Sequence, residues 1–99
     1  MTSLATRLLA ATLSLASIAA TPAPISPYYE AELAAPTDET RAIAGGVVFA
    51  CEGNVCRGPQ SNSRDLRVCS QLRREVGPIA SFTVRAEAMS EADLARCNG

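Results

Sequence analysis

Four cysteines in the second half of the chain constrain its fold more than any other feature. They are Cys51, Cys56, Cys69 and Cys97, with the spacing C-x4-C-x12-C-x27-C. From residue 43 onward, only 14 of 57 residues are Ile, Val, Leu, Phe or Met, so the available core is thin. Domains of this size are marginally stable unless disulfides or a metal reinforce them. The sequence therefore predicts a small domain stabilised through its cysteines.

Two disulfides are the favoured use of these cysteines. Three connectivities are possible, and we favour Cys51–Cys56 across a predicted hairpin and Cys69–Cys97 between two predicted helices. A zinc site is the alternative, but structural zinc sites bring their ligands in close pairs, and the last two cysteines are 28 positions apart. Because the chain has no histidine, a Cys₂His₂ zinc finger and Ser-His-Asp or Cys-His catalytic units are impossible. We expect no metal and no cofactor.

The first 19 residues are typical of a secretory signal peptide. Arg7 is the only charge in this segment, and an apolar run occupies residues 8–20. A transmembrane helix needs about 20 apolar residues, and Pro22 ends the run before that length is reached. Cleavage is expected after Ala19 or, as a near alternative, one residue later. We therefore expect a periplasmic or secreted protein with no transmembrane span in the mature chain.

Residues 20–41 are predicted to form a flexible Pro/Ala-rich tether. Four of the six prolines lie in this segment, and such a composition favours an extended linker over a packed element. The sequence YYEAEL, residues 28–33, interrupts the tether. We expect it to form a solvated or loosely docked turn of helix. The alternative is a short motif whose two tyrosines, Tyr28 and Tyr29, dock onto the domain or onto a partner.

Residues 42–99 are predicted to form a small α+β domain with the element order ββαβα. Residues 43–51 are rich in β-branched and aromatic side chains, as strands are. The following Gly53-Asn54 pair suits a two-residue type II′ turn. That turn would place Cys51 opposite Cys56 on neighbouring strands, close enough for a disulfide.

The rest of this domain is predicted as helix, strand and helix. Ser61 or Ser63 is expected to cap the first helix, whose apolar residues recur at helical spacing. Gly77, followed by proline, is expected to end that helix. Residues 79–85 are predicted to form a strand. Ser90, with an aspartate three residues later, is expected to cap the last short helix.

A segment around the first two cysteines resembles an enzyme motif. The sequence VVFACEGNVCRGP, residues 47–59, resembles the phosphate loop of low-molecular-weight protein tyrosine phosphatases and related arsenate reductases. In those enzymes, backbone N–H groups and an arginine bind the oxyanion and lower the pKa of the nucleophilic thiol. The resemblance implies Cys51 as the nucleophile and Arg57 as the oxyanion ligand. Gly58 replaces the family's serine, no Asp-Pro general acid is present, and only 42 residues follow the arginine. The same Gly-Asn equally suits a hairpin.

A second resemblance extends over nearly the whole chain. The motifs that carry it are, in order, the signal peptide, the tyrosine pair, CEGxxC, RVC, REVG and LARCN. In this order they resemble a family of small exported bacterial proteins of uncharacterised function. The resemblance implies export and a frame of four cysteines, and it implies no activity.

Arginine supplies all nine basic residues, and five arginines lie within 18 residues of one another. Three of them, Arg64, Arg67 and Arg74, are candidate ligands for an anion. Arginine binds phosphate and carboxylate groups through paired hydrogen bonds, whereas the simpler interpretation is a solvated helix face. The net charge of −1 gives no reason to expect nucleic-acid binding.

The sequence favours an exported, non-enzymatic domain that binds or supports a component of the cell envelope. Its expected partner is an anionic envelope component, such as phospholipid head groups, lipopolysaccharide or peptidoglycan acids, or another periplasmic protein. The alternative is a cysteine-dependent phosphatase or arsenate-reductase-like enzyme that uses Cys51 and Arg57. A redox protein with a labile Cys51–Cys56 pair is less favoured, because C-x4-C lacks the usual C-x-x-C spacing.

Overall fold

A computed structural model describes residues 27–99 of the chain. The predicted signal peptide and residues 20–26 of the predicted tether lie outside the described residues. The described residues form six strands and two helices, namely β1 (Tyr29–Leu33), β2 (Arg41–Ala44), β3 (Val47–Glu52), β4 (Val55–Gly58), α1 (Asp65–Val76), β5 (Ile79–Val84), β6 (Glu87–Ala88) and α2 (Glu91–Asn98).

The six strands form one antiparallel sheet in the order β2-β3-β4-β1-β5-β6. Side chains alternate between its two faces, as the pleat of a strand requires. Helix α1 packs against β2 and α2 packs against β5, and the two helices also contact each other. The buried core lies between these helices and the sheet. No helix within residues 27–99 covers the other face, which carries Glu30 and Arg57. The predicted α+β class is confirmed.

Strand β1 corrects the prediction of a tether over residues 20–41. It lies in the middle of the sheet, between β4 and β5. Tyr29, Ala31 and Leu33 are buried, whereas the two glutamates between them point to the open face. The ring of Tyr29 lies 5.8 Å from that of Phe49 and 5.5 Å from that of Phe82. The predicted turn of helix is therefore wrong, because the alternation of YEAEL gives a strand with one buried face.

The predicted strand over residues 43–51 is two strands joined by a tight turn. Gly45 and Gly46 both have positive φ angles, of 61° and 77°, as a type I′ hairpin requires. Gly45 also packs closely, since a Cβ atom there would lie 2.6 Å from both Ser61 Oγ and Val68 Cγ2. The predicted order ββαβα has three strands fewer than the structure. The additional strands are β1, β6 and the one that arises because this turn divides the predicted strand in two.

The cap predicted for α1 is also wrong. Arg64 is the N-cap residue, and no side chain caps the helix. The hydroxyl of Ser61 instead donates to the carbonyl oxygen of Gly45 and accepts from the backbone N–H of Ser63. It therefore fastens the β2–β3 turn to the loop before α1. The predicted cap of α2 is confirmed, because Ser90 Oγ accepts from the N–H of residue 93 at 3.1 Å.

Both favoured disulfides are confirmed. In the β3–β4 hairpin, Cys51 lies opposite Cys56 with a Cα–Cα distance of 4.0 Å. Gly53 has a positive φ of 64° and Asn54 does not, which fits the predicted type II′ turn. The second disulfide joins Cys69 of α1 to the last turn of α2. All four cysteines belong to the buried core, so the disulfides replace apolar side chains that this small domain lacks.

Candidate functional site

The structure does not bring the two residues of the phosphatase-like motif together. The sulfur of Cys51 lies on the core face of the sheet and is bonded to Cys56. Arg57 follows Cys56 in β4 and therefore points to the open face. There its Nε donates to Glu30 Oε2 at 2.8 Å. The segment is a hairpin in which a thiol at Cys51 and the guanidinium of Arg57 face opposite sides of the sheet.

Packing around Gly58 also differs from what a phosphate loop needs. A Cβ atom at Gly58 would lie 2.8 Å from two ring carbons of Phe49, and Phe49 is fully buried. The serine that the phosphatase family has at this position would collide with that ring. Gly58 is therefore explained by its contact with the core.

The three arginines predicted to bind an anion are all exposed and lie at or along α1. Among residues 27–99, no carboxylate forms an ion pair with Arg64, Arg67 or Arg74. Arg67 and Arg74 lie two helical turns apart, about 10 Å along the axis. The three side chains therefore form a charged helix face, and Arg74 also lines a cavity.

That cavity is a groove of about 240 Å³ between the last turns of α1 and α2. We call it the arginine groove; its lining residues are Ser70, Arg73, Arg74, Arg96, Cys97, Asn98 and Gly99. None of its lining side chains is a carboxylate. Sequence reasoning missed Arg96 as a partner of Arg73 and Arg74. The signal that could have found it is the Cys69–Cys97 disulfide, because joining those residues brings the two basic turns together.

The arginines of the groove have unused hydrogen-bonding capacity. Arg73 is half-buried, and its Nε is fully buried with no hydrogen-bond partner among the described residues. Arg96 makes one exposed ion pair, from Nη1 to Asp93 Oδ1 at 3.4 Å. Buried donors almost always have a partner in native proteins, so the unpaired Nε–H of Arg73 is unusual.

The side chain of Asn98 fixes the position of α2 beside the groove. Its Nδ2 donates to the carbonyl oxygens of Ile79 and Leu94, at 2.8 and 3.1 Å. Its Oδ1 accepts from the backbone N–H of Ile79 at 2.8 Å. The last turn of α2 is thus held to the start of β5 as well as to α1.

A larger groove, of about 550 Å³, lies where both helices begin. Its wall includes Tyr28, the β5–β6 turn and three carboxylates, and we call it the Tyr28 groove. The guanidinium of Arg85 lies over the ring of Tyr28, 5.4 Å from its centroid. Arg85 and Ala86 form a type I′ turn although neither is glycine, with φ angles of 52° and 67°. This turn holds Arg85 at the edge of the groove.

Tyr29 connects the core to the rim of the Tyr28 groove. Its hydroxyl donates to Asp65 Oδ1 at 3.5 Å. Burial raises the pKa of Tyr29 above its ordinary value, and the negative charge of Asp65 raises it further. The phenol is therefore held in its neutral, donating form.

Neither a membrane helix nor a metal centre is found in the described part of the chain. No helix within residues 27–99 is long and apolar enough to cross a bilayer. The same residues contain no group of three or more His, Cys, Asp or Glu side chains that could hold a metal ion.

Comparison with known protein families assigns the chain to one family. A family of unknown function, DUF8200, matches residues 10–99. The chain belongs to this family. The match to DUF8200 agrees with the resemblance to an uncharacterised family, and the matched residues of this chain include strand β1 and its four cysteines. No curated protein and no solved structure matches the chain.

Proposed function

We propose that this DUF8200 member is exported and serves as a non-catalytic binding domain of the cell envelope. The observation that carries the proposal is the pair of disulfides inside the core. Disulfides form and persist in oxidising compartments and are rare in the cytosol. All cysteines of the described residues are paired, and the N-terminal sequence is typical of a secretory signal peptide. Both features favour the periplasm or the exterior of a bacterial cell.

A binding role is favoured over a catalytic one by the placement of Cys51 and Arg57. The sulfur of Cys51 is part of a disulfide, and the residue is buried, at 8% exposure. Arg57 is engaged by Glu30 on the opposite face of the sheet. A nucleophile and an oxyanion ligand must face the same substrate atom, and these two side chains do not.

The basic face of α1 favours an anionic partner in the envelope. Arg64, Arg67 and Arg74 are exposed and unpaired within residues 27–99. Guanidinium groups bind phosphate and carboxylate groups through paired, charge-assisted hydrogen bonds. Phospholipid head groups, lipopolysaccharide phosphates and peptidoglycan carboxylates offer these groups.

Export is tested by the intact mass of the full-length gene product, expressed in a bacterium and recovered from the periplasm without reductant. We expect a chain that starts at Ala20 or Thr21, with a mass about 4 Da below that of the reduced chain, because each disulfide removes two hydrogens. Peptide mapping should find Cys51 joined to Cys56. An unprocessed chain, or a free thiol at Cys51, contradicts the proposal.

Anion binding is tested by sedimentation with vesicles that contain phosphatidylglycerol, against vesicles of phosphatidylcholine alone. Each arginine near an anionic surface contributes about 1 kcal/mol, so Arg67→Gln and Arg74→Gln should each weaken binding about fivefold. Arg41→Gln is the matched control, because Arg41 is also exposed but lies on β2. Equal binding to both vesicle types, or equal losses in all three variants, contradicts a specific role for α1.

A further inference from the structure

We propose that the arginine groove is a binding site for a phosphate group, with Arg73, Arg74 and Arg96 as its ligands. The inference rests on the proposed anion-binding function and deepens it, because it names the site and the chemistry of the ligand. The phosphate can belong to a soluble phosphate compound or to a lipid head group, and the experiments below distinguish these sources.

The charge of the groove favours an anion. Three arginines line it, and none of its lining side chains is acidic. Two helices end here, and each helix C-terminus contributes about half a negative charge. Neutralising the two helix ends therefore accounts for only part of the arginine charge.

The donors of the groove suit phosphate better than carboxylate. Arg73 and Arg74 come from α1 and Arg96 comes from α2, so the arginines belong to two walls of the groove. A carboxylate offers two oxygens in one plane, whereas a phosphate offers three acceptor oxygens in a tetrahedral arrangement. The Nε–H of Arg73 is unpaired but has no accessible surface, so the contacts proposed for this guanidinium are those of its Nη groups.

The two walls are held together before any ligand binds. The Cys69–Cys97 disulfide sets a Cα–Cα distance of 5.6 Å between the helices, and Arg96 directly precedes Cys97 in the chain. Asn98 fixes the same turn to β5 through three hydrogen bonds. A site whose walls are already in place loses less entropy on binding.

The groove is large enough for the group we propose. Its volume of about 240 Å³ is several times the roughly 30 Å³ that a water molecule occupies in the liquid. Arg74 and Arg96 are exposed at its rim, so a phosphate attached to a larger molecule can enter.

The first test is a titration of the oxidised protein with inorganic phosphate, followed by backbone amide NMR shifts. We expect phosphate, and not acetate or chloride at equal ionic strength, to shift the amides of residues 70–74 and 96–98. Arg96→Gln should weaken phosphate binding about tenfold, the effect of losing one hydrogen bond to a charged group. Arg74→Gln, at another exposed position, should do the same, and Arg41→Gln should bind as the wild type does. Thermal unfolding of each variant establishes that it is folded.

Phosphate affinity that is unchanged in both Arg74→Gln and Arg96→Gln, or an absence of phosphate-specific shifts, overturns the inference. Vesicles that contain phosphatidic acid then identify the source. If the protein sediments with these vesicles and free phosphate reverses the sedimentation, the phosphate belongs to a lipid head group. Phosphate binding without vesicle binding indicates a soluble phosphate compound, so the site stands and the membrane form of the proposed function fails. Vesicle binding that requires Arg67 but not Arg96 supports the proposed function and contradicts the groove as its site, because the anionic partner is then bound outside the groove.

Discussion

The Cys69–Cys97 disulfide is expected to stabilise the fold more than the Cys51–Cys56 disulfide does. In the loop-entropy description, a disulfide restricts the unfolded chain, and the restriction grows with the number of residues it encloses. The sequence separations are 28 and 5, which correspond to about 3.5 and about 2 kcal/mol at 25 °C. We therefore predict a difference of about 1.5 kcal/mol in the free energy of unfolding.

Burial alone would not produce this difference. Cys69 and Cys56 are both fully buried, and their partners Cys97 and Cys51 are 3% and 8% exposed. Replacing either pair with alanine removes two sulfur atoms from the same core, so the cavity contribution is similar in the two variants. What distinguishes the variants is the length of chain that the disulfide closes.

The assay is urea unfolding of the Cys51→Ala/Cys56→Ala and Cys69→Ala/Cys97→Ala variants, with thermal unfolding as a second measurement. We expect the second variant to melt about 6–12 °C below the first, from the usual shift of about 4–8 °C per kcal/mol in a domain of this size. Equal stabilities, or a less stable hairpin variant, would refute the loop-length argument. Native contacts around the β3–β4 hairpin would then dominate.

Three further predictions concern single residues. Gly58→Ala should destabilise the domain by about 1–3 kcal/mol, measured by urea unfolding, because the new methyl group would overlap the ring of Phe49. The double variant Gly58→Ala/Phe49→Leu should recover part of this loss. Additive losses would contradict the overlap. Ala86→Gly should raise the melting temperature, because the left-handed conformation of Ala86 costs about 1–2 kcal/mol. The greater freedom of glycine in the unfolded chain offsets part of this gain. A lower melting temperature would contradict the prediction. Because the pKa of Tyr29 is raised by burial, its contribution to stability is complete below pH 10, the ordinary tyrosine value, and is lost as the pH rises through the raised pKa. Urea unfolding between pH 8 and 11 should show this loss in the wild type and a smaller one in Tyr29→Phe, and equal losses would contradict it.

Local signals in the sequence predicted the parts of the fold that depend on a few neighbouring residues. The Gly53-Asn54 turn fixes the register of its hairpin, and that register places Cys51 opposite Cys56. Ser90 was recognisable as a cap because its acceptor and the N–H it serves are three residues apart. Once the hairpin disulfide is assigned, the remaining two cysteines can only pair with each other.

The sequence did not predict strand β1, because this strand is stabilised by strands that lie far from it along the chain. Its neighbours β4 and β5 lie more than 20 and more than 45 residues further along the chain. The alternation in YEAEL is only five residues long, and the surrounding prolines favour a linker. The arginine groove was hidden for the same reason, since Arg96 meets Arg73 and Arg74 only after α2 has docked on α1.

Residues 47–59 resemble a phosphate loop in sequence, but the alternation of side chains along a strand gives them a different geometry. A two-residue turn at Gly53-Asn54 makes Cys51 and Cys56 face the same side, so Arg57 must face the other. Pairing of β1 with β4 then places Glu30 opposite Arg57, and the ion pair holds the guanidinium on the open face. Reduction of the disulfide would free the Cys51 thiol without moving Arg57 through the sheet. The Cys51–Arg57 segment therefore places its sulfur and its guanidinium on opposite faces of the sheet, and the phosphate binding that we propose involves the arginines of α1 and α2 instead.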